Sequence, residues 1–411
     1  MKSVGLVVEY NPFHNGHLYH LTESKKAAGA DLAVAVMSGS FLQRGEPALT
    51  DKWTRTKMAL QGGCDIVVEL PFAYAVQHAN LFAQGAVAVL DQLNVDYISF
   101  GSEDGDIDHF VRTLHTMTEH REEIDQAVRS FLSEGYSFPK ACSLAYEAIL
   151  PSTGVDLAKP NNILGLQYIK AVHDLNSSIK PLTILREKAG YHDLKPSDEA
   201  IASATMIRNR LVSENFTLED IQAYVPETTF ENLVQYKKTY GQWHTWEHYF
   251  PYVRQKVITS SPAELHELYE MEEGMEYRYK KGIKHSECFS SFIDYLKTKR
   301  YTRTRLQRSM VHLLMNTKKS WMKTHANALS PSYIRLLGMS TVGQEYLSSI
   351  KKQIGARMIT NASKGKDPLL QKDIEAATVH HLPLINHTNH CLTREFTEKP
   401  IRYHREKGTF L

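Results

Sequence analysis

Residues 4–17 of the chain, VGLVVEYNPFHNGH, decide the fold, because an apolar strand runs directly into a turn that carries His14-x-Gly16-His17. Two imidazoles that flank a glycine can donate to phosphate oxygens whose charge grows as an α-phosphate is attacked, and Gly16 leaves room for a nucleotide near the backbone. The run 18–26 predicts a helix whose N-terminus points at the same anion. An isolated motif of this length more often decorates a loop. The strand before it and the helix after it favour a triphosphate site.

Length and composition indicate an ordinary globular protein. With 411 residues the chain has room for two domains or three, and its 42% hydrophobic and 23% charged residues are typical of soluble proteins. No apolar run reaches the ~18 residues that a membrane helix needs, and the N-terminus lacks a signal-peptide pattern. Four cysteines stand far apart without a Cys-x-x-Cys spacing. We therefore expect a cytoplasmic protein with free thiols and no membrane segment.

The hydrophobic pattern predicts two unlike regions. Up to about residue 211, helical periodicity alternates with apolar runs suited to strands, at 4–8, 32–37, 66–70, 97–100 and 179–185. Such alternation is typical of an α/β fold with a parallel sheet covered by helices. A helical insertion is predicted at about 106–151, a mostly helical pattern from 218 to about 349, and a turn-rich tail from 361. We predict one domain over 1–213 and a second over 214–411.

The second region contains a strongly basic segment. Residues 277–323 carry thirteen lysines and arginines against two acids, Glu287 and Asp294, with aromatic residues interleaved. Cations beside aromatic rings suit a phosphate backbone with unstacked bases. The alternative is a solvated helical face whose aromatic residues pack inward. We favour nucleic-acid binding because the excess is so one-sided. The candidate contacts are Lys297, Lys299, Arg300, Arg303, Arg305 and Arg308.

Residues at the ends of predicted strands form another group of candidates, since the ligand crevice of an open α/β sheet lies outside the carboxyl ends of its strands. Gly101 follows the strand 97–100 and would admit a ribose or base, although a plain turn glycine fits equally well. Of Asn161 and Asn162, either amide can cap the next helix, which leaves the other for a base or sugar. Arg186 follows the strand 179–185 and can grip phosphate.

The segment that opens the helix after residue 201 also suits a phosphate. Ser203 and Thr205 put hydroxyls near a helix N-terminus and Arg208 lies one turn further along, so three donors converge with the positive end of the helix dipole. Seen alone, Ser203 is an ordinary N-cap and Arg208 a cation on a wet face. Together with the His-x-Gly-His turn, the segment indicates one divided site for a triphosphate.

These motifs carry a family resemblance. The His-x-Gly-His turn with Ser203-x-Thr205-x-x-Arg208 resembles the nucleotidyltransferase superfamily, whose second motif often has a run of serines where this chain has Ala202 and Ala204. More specific strings look like the bacterial tRNA(Met) cytidine acetate ligase family, at 5–17, 38–48, 159–165 and 191–193. The likeness runs through the whole chain, and the C-terminal half matches mainly by its place and its basic helical character.

The resemblance implies a Rossmann-like HIGH-type nucleotidyltransferase domain with a parallel sheet, followed by a mostly α-helical basic RNA-binding domain. It also implies two reaction steps. Acetate attacks the α-phosphate of ATP, giving acetyl-adenylate and pyrophosphate; the exocyclic amine of the wobble cytidine of elongator tRNA(Met) then takes the acetyl group, giving N4-acetylcytidine and AMP. Mg²⁺ is expected with ATP, because nucleotidyl transfer generally uses it to neutralise oxygens. No carboxylate cage for a resident metal is evident in the sequence.

Site residues follow from the same resemblance. The segment that wraps ATP is Val7, Val8, Glu9, Tyr10, Asn11, Pro12, Phe13, His14, Asn15, Gly16, His17, Leu18, Tyr19 and His20, and its pocket is completed by Gly101, Asn162 and Arg186. The donors assigned to the charge that builds in the first step are His14, His17, Ser203, Thr205 and Arg208. No nucleophilic side chain is required, since the adenylate is itself the activated intermediate.

Two segments keep alternative interpretations. In the loop 38–57 the cations can meet acetate, phosphate or RNA and two further side chains can contact cytosine, or the cations can be an exposed first turn before helix core; these residues are Arg44, Lys52, Arg55, Lys57, Gln43 and Trp53. A histidine cluster near the C-terminus fits no common zinc spacing. We expect these side chains on the surface or facing RNA: His380, His381, His387, His390 and Cys391.

Two other functions are compatible with the motifs. One is a small-molecule nucleotidyltransferase that releases pyrophosphate, and the other is an ATP-sensing RNA-binding protein without turnover. The roughly 200 residues after 211 favour a macromolecular partner over the first. The choice of acetate over formate or propionate has no sequence signature, because a pocket that excludes one methylene contributes only ~1–3 kcal/mol. The oligomeric state has none either.

Overall fold

A computed structural model of the chain describes residues 1–149, 154–186, 201–272, 274–326, 331–364, 366–384 and 393–411. The strands in these ranges are β1 (Ser3–Val8), β2 (Leu32–Ser38), β3 (Ile66–Leu70), β4 (Tyr97–Ser102), β5 (Lys180–Leu185), β6 (Tyr333–Ser340), β7 (Arg357–Ile359), β8 (Ile401–His404) and β9 (Thr409–Phe410).

The α-helices in the same ranges are α1 (Asn15–Ala28), α2 (Lys52–Gln61), α3 (Phe72–Ala75), α4 (Ala79–Gln92), α5 (Ile107–Glu119), α6 (Arg121–Ser133), α7 (Phe138–Ile149), α8 (Pro160–Asp174), α9 (Ala204–Val212), α10 (Glu227–Tyr240), α11 (Trp246–Thr259), α12 (Pro262–His266), α13 (Met275–Gly282), α14 (Phe289–Leu296), α15 (Arg303–Leu314), α16 (Lys319–His325), α17 (Thr341–Ile350), α18 (Pro368–His381) and α19 (Arg394–Thr397). Short 3₁₀ helices lie at Glu219–Tyr224, Ala362–Lys364 and Leu382–Leu384. Among the described residues, no helix has the length and apolar character needed to cross a membrane.

The five strands expected from apolar runs form a parallel sheet in the order β5-β4-β1-β2-β3. Both faces of this sheet are covered, which is why β2 reads as a continuous apolar run rather than an alternating one. Val34 and Val36 share a core with α4 and α8, whereas Ala33 and Ala35 share the opposite core with α1 and α2. The predicted α/β fold with a parallel sheet is confirmed.

The sheet continues into the C-terminal half of the chain. β6 pairs antiparallel with β3, β7 and β8 pair parallel with β6, and β9 pairs antiparallel with β8. The expected helical pattern up to about 349 is therefore wrong at Tyr333–Ser340, because a short buried strand cannot be told from a buried helix by periodicity alone. Strands from both sides of residue 213 share this sheet, and the two-domain division stays a prediction.

Helical segments flank the sheet. The segment expected to be a helical insertion contains α5, α6 and α7, and α6 packs on α7 around a small core of Ile124, Val128, Ala141 and Ala145. Helices α11 to α15 share a larger core that buries four aromatic residues of the basic segment, namely Tyr279, Phe289, Phe292 and Tyr301. For these four rings the alternative interpretation, in which the aromatic residues of the segment pack inward, is correct. Tyr277, in contrast, is 65% exposed.

Candidate active site

The turn after β1 joins the strand to the N-terminus of α1. Tyr10 adopts φ +47°, a left-handed conformation that is uncommon for residues other than glycine. His14 is the N-cap of α1, and its Nδ1 accepts the Gly16 N–H at 3.1 Å, while Nδ1 of His17 accepts the His14 N–H at 3.3 Å. With Nδ1 occupied as an acceptor, each neutral ring carries its proton on Nε2. Both imidazoles therefore carry an Nε2–H at the helix N-terminus, and the His17 ring also hydrogen-bonds the Pro12 carbonyl.

The two rings are held neutral as well as in place. They stack with centroids 3.7 Å apart, and burial, with the charges of Arg186 and Arg208, lowers the pKa of His14 to about 3. Burial, followed by the neighbouring His14 and Arg186, lowers the pKa of His17 well below its usual range, and burial lowers the pKa of His20 to about 4. The histidines at this turn are thus donors without a net charge at neutral pH.

Gly16 allows two chain segments to approach each other. A Cβ on Gly16 would lie 2.9 Å from Cε1 of His14 and 3.9 Å from Cγ2 of Ile201. Because a side chain here would push the His14 ring from its cap position, the site requires glycine. The contact with Ile201 brings the start of α9 against the His-x-Gly-His turn. The two segments that the sequence assigns to one divided site are therefore neighbours.

Arg208 on α9 spans this junction. Its Nη1 donates to the Asn11 carbonyl at 3.0 Å, and its Nη2 donates to Glu46 Oε2 at 3.0 Å and to Thr205 Oγ1 at 3.4 Å. The sequence did not predict the ion pair between Arg208 and Glu46, because no local pattern links two residues 162 positions apart in the chain. Ser203 is the N-cap of α9 and accepts the Met206 N–H at 3.2 Å, so its hydroxyl has the structural use that the alternative interpretation described.

Asn162 organises the turn that follows β4. Its Oδ1 accepts the N–H groups of Glu103 and Asp104 at 2.9 and 3.2 Å, and its Nδ2 donates to the Asp156 carbonyl at 3.0 Å. Asn161 donates to Glu103 Oε1 at 2.6 Å. The expectation that one of these amides caps the helix is wrong, because α8 begins with Pro160 after Lys159, without a side-chain cap. Both amides bind the turn after β4 instead.

Gly101 and Arg186 approach each other at the ends of β4 and β5. A Cβ on Gly101 would lie 3.2 Å from Cγ of Arg186, which makes this glycine a close-approach position rather than a plain turn. The Arg186 charge lowers the pKa of His14, His17 and His20. The arginine therefore faces the His-x-Gly-His turn from the β4 side of β1.

The rest of the segment 7–20 divides into core and surface. The buried members are Val8, Tyr10, Pro12 and Phe13. The Phe13 ring packs against Gly62, where a Cβ would lie only 2.5 Å from the ring. Asn11 is buried and its Oδ1 accepts the Leu49 N–H at 2.7 Å. The exposed members of the segment are Leu18 and Tyr19, and the half-buried ones are Val7, Glu9, Asn15, Gly16, His17 and His20.

The model of the HIGH nucleotidyl transferase family matches residues 1–395. The tRNA(Met) cytidine acetate ligase of Bacillus licheniformis is 47% identical over 415 residues, covering 100% of both chains, and that of Geobacillus sp. is 49% identical over 98% of this chain and 100% of the relative. The chain belongs to this ligase family. Thermotoga maritima TmcAL is similar in its crystal structures, with TM-scores of 0.89 (apo) and 0.87 (bound with alpha-thio ATP), 32% and 31% identity, and coverage of 98% of this chain and 99% of that chain. The family resemblance is confirmed.

In this member of the ligase family, two of the four cations in the loop 38–57 are buried in contacts within the protein. Arg55 is buried and donates to the carbonyls of Glu9 at 2.9 Å, Ser38 at 2.8 Å and Gly39. Lys52 is buried between Glu69 and Glu395, each within 2.7 Å. Trp53 donates to Glu395 at 3.0 Å. These three side chains support the ends of β1 and β2 and attach the C-terminal segment.

The basic segment of this ligase family member adjoins the site through one loop. Gly45 adopts φ +76° and packs on α15, where a Cβ would lie 2.3 Å from the Arg308 nitrogen. Of the six candidate RNA contacts in the segment, four are exposed: Lys297, Lys299, Arg300 and Arg303. Arg305 is half-buried, and Arg308 forms an ion pair with Glu270 at 2.7 Å.

The expectation that His380 and His381 lie on the surface or face RNA is wrong for this family member. Both are buried: His380 Nε2 lies 2.8 Å from the Ala48 carbonyl, His381 Nδ1 lies 2.7 Å from the Ala377 carbonyl, and His380 stacks on His244. In the described part of the chain, no three His, Cys, Asp or Glu side chains are grouped to hold a metal. His387, His390, Cys391 and the string 191–193 lie outside the described residues.

Proposed function

We propose that the chain is an ATP-dependent ligase that activates acetate as acetyl-adenylate and transfers the acetyl group to N4 of the wobble cytidine of elongator tRNA(Met). The observation that supports this most directly is the junction of two neutral imidazole donors, a helix N-terminus and Arg208, in a chain 47% identical to a ligase of that name. Residues 1–213 would supply the nucleotide site, and residues 214–411 most of the RNA contacts.

In the first step an acetate oxygen attacks the α-phosphorus of ATP, and the bond to the bridging oxygen of pyrophosphate breaks. Negative charge grows on the α-phosphate and on the leaving group. The Nε2–H groups of His14 and His17 and the guanidinium of Arg208 offset this charge, and fixed donors lose no energy to reorganisation as the charge develops. Thr205 and the N-terminus of α9, capped by Ser203, flank Arg208. Mg²⁺ would arrive with ATP and neutralise phosphate oxygens.

In the second step N4 of cytidine attacks the acetyl carbonyl carbon. A C–N bond forms, the C–O bond to the phosphate breaks, one N4 proton leaves, and AMP departs. The mixed anhydride already activates the acetyl group, so no covalent enzyme intermediate is needed. Gly101, Asn162 and Arg186, with the segment 7–20, would hold the nucleoside and phosphates during both steps, Asn162 by fixing the turn after β4.

Labelled acetate tests this function. The purified protein is incubated with ATP, Mg²⁺, labelled acetate and bacterial tRNA, and the digested RNA is examined for labelled N4-acetylcytidine by mass spectrometry. Label in cytidine that requires ATP, with matching pyrophosphate release, supports the ligase. Pyrophosphate release that depends on a small-molecule acceptor and leaves the RNA unlabelled would favour a small-molecule nucleotidyltransferase. ATP binding without pyrophosphate release would contradict both enzymes.

Charge reversal at the exposed basic residues should weaken RNA binding without affecting acetate activation. For Lys299→Glu/Arg303→Glu we expect the KM for tRNA to rise about tenfold or more and the salt dependence of binding to weaken by about two charges, because two phosphate contacts are lost. Acetate-dependent pyrophosphate release without tRNA should be unchanged. The matched control is Lys351→Glu/Lys352→Glu, which reverses two exposed charges after α17. An equal rise in KM for both variants would contradict a localised RNA surface.

A further inference from the structure

The strand order separates two sides of the site. β4 and β2 flank β1 on opposite sides. Gly101 and Arg186 lie at the ends of β4 and β5, where the nucleoside of ATP would be held. The His-x-Gly-His turn after β1 lies in the middle. With the nucleoside on the β4 side, the acceptor of the acetyl group would approach from the other side, over the loop that follows β2.

Glu9 faces that loop. Its Oε1 accepts the Gln43 N–H at 3.0 Å, and its carbonyl accepts from Arg55 Nη1 at 2.9 Å. In the described part of the chain, the bond from Gln43 is the one hydrogen bond that this carboxylate receives, and it leaves Oε2 for a substrate. Glu9 is half-buried. The carboxylate is thus fixed at the carboxyl end of β1, on the acceptor side.

The same loop touches the basic surface. Gly45 packs directly on the backbone of α15 at Arg308, and its carbonyl accepts from Trp246 Nε1 at 3.1 Å. Arg303 is exposed at the first position of that helix, five residues before Arg308. An RNA bound along α15 would therefore lie next to the loop whose Gln43 N–H bonds Glu9.

We propose that Glu9 is the residue that binds the exocyclic amine of the cytidine and takes its proton during acetyl transfer. This inference rests on the proposed function and replaces the expected role of Glu9 in wrapping ATP. A Glu carboxylate accepting from cytosine N4–H₂ is a standard base contact. As N4 bonds to the acetyl carbon and the C–O bond to AMP breaks, one N4 proton passes to Glu9 Oε2. Water later removes this proton, which restores the carboxylate.

The surroundings of Glu9 suit a base. Burial raises its pKa above the usual range, and the Gln43 N–H opposes this shift. The charged groups that face it are Glu46, Arg208 and Arg44, and Tyr168 of α8 is close enough for the Glu9 charge to raise its pKa. A carboxylate with a raised pKa is a stronger base, and a positioned base typically accelerates such a step by about 10²–10⁴-fold.

The test separates the two steps in Glu9→Gln, which retains an oxygen for the Gln43 N–H. Hydroxylamine traps acetyl-adenylate as acetohydroxamate without RNA and reports the first step. Single-turnover transfer of labelled acetyl to tRNA reports the second. We expect hydroxamate formation within about twofold of wild type and transfer slowed about 10²-fold or more. The wild-type transfer rate should rise with pH through one ionisation that the variant lacks. Glu9→Asp, with a shorter carboxylate, should transfer at an intermediate rate.

The other outcomes count against the proposal. Equal losses in both steps would return Glu9 to the ATP site, and unchanged transfer would exclude it as the base. The control Glu345→Gln removes an exposed carboxylate on α17 and should match wild type in both assays. If the wild-type protein forms no hydroxamate from ATP and acetate, the proposed function itself fails, independently of Glu9.

Discussion

Replacing Arg208 with alanine is expected to slow acetate-dependent pyrophosphate release by about 10²–10³-fold, the usual loss when one fixed donor to a developing oxyanion is removed. Its side chain is only 19% exposed and is held by the Asn11 carbonyl and Glu46. Because the guanidinium is placed before ATP arrives, the loss should fall on the rate at saturating ATP more than on ATP affinity. Initial rates of pyrophosphate release over a range of ATP concentrations measure both.

The control for this prediction lies on the same helix. Arg210 donates to the Asp220 carbonyl at 3.0 Å and stacks on Phe216 and Tyr224, away from Asn11. Arg210→Ala should therefore keep the rate within a few-fold of wild type while removing the same charge. Arg208→Lys should recover only part of the rate, because an ammonium cannot span the Asn11 carbonyl and Glu46 as a planar fork does. A similar loss in Arg208→Ala and Arg210→Ala would mean that α9 matters only as a scaffold.

The site features that the sequence predicts correctly depend on neighbours in the chain. The His-x-Gly-His turn is a helix cap as well as a donor pair, so its geometry is determined within four residues. The five parallel strands are short apolar runs bounded by turns and helices. Such runs are typical of strands that are buried on both faces of a sheet. Such features can be predicted because the residues that determine the local structure lie within the segment itself.

The features that the sequence misses have distant partners. Lys52 looks like an exposed cation, yet Glu69 and Glu395 neutralise it from elsewhere in the chain. Asn162 looks like a helix cap, but its side chain bonds the turn after β4 and the Asp156 carbonyl. The strand β6 has eight residues, and its length and apolar content fit a short buried helix equally well. In each case the deciding contact is made only after the chain has folded, and a local pattern carries no record of it.

The buried histidines are the other group that the sequence interprets wrongly, since a histidine counts as polar when only the sequence is read. His312 and His380 are fully buried, and burial lowers the pKa of each to about 3. Burial likewise lowers the pKa of His14 to about 3. Each ring pairs as a neutral group, with the Val76 carbonyl for His312 and the Ala48 carbonyl for His380. The fold therefore requires uncharged imidazoles.

We expect the protein to lose much of its stability between pH 7 and pH 5. The unfolded chain binds protons below the ordinary histidine pKa of 6.5, whereas these rings in the folded protein stay neutral down to about 3, so stability is full above pH 6.5 and falls on acidification. At pH 5 each of the three histidines lowers the free energy of unfolding by about 2 kcal/mol, which is about 6 kcal/mol together. The whole free energy of unfolding of a protein is usually about 5–15 kcal/mol. Urea unfolding followed by circular dichroism at pH 7.5, 6 and 5 measures the loss.

Groups that titrate the other way reduce this loss without reversing it. Burial raises the pKa of Glu9, Glu69 and Asp373, so these carboxyls bind protons in the folded protein before they do in the unfolded chain. Five further histidines have lowered pKa values and outnumber them: His17, His20, His78, His244 and His381.

A pair of variants assigns the effect to the buried rings. His312→Gln keeps a side-chain donor near the Val76 carbonyl and removes one titrating group, so the fall in unfolding free energy between pH 6 and pH 5 should become smaller by about 1.2 kcal/mol. His115→Gln removes a histidine whose side chain is 74% exposed and should leave the pH dependence as in wild type. If His312→Gln lowers stability equally at every pH, that histidine contributes through packing alone and the acid loss arises elsewhere.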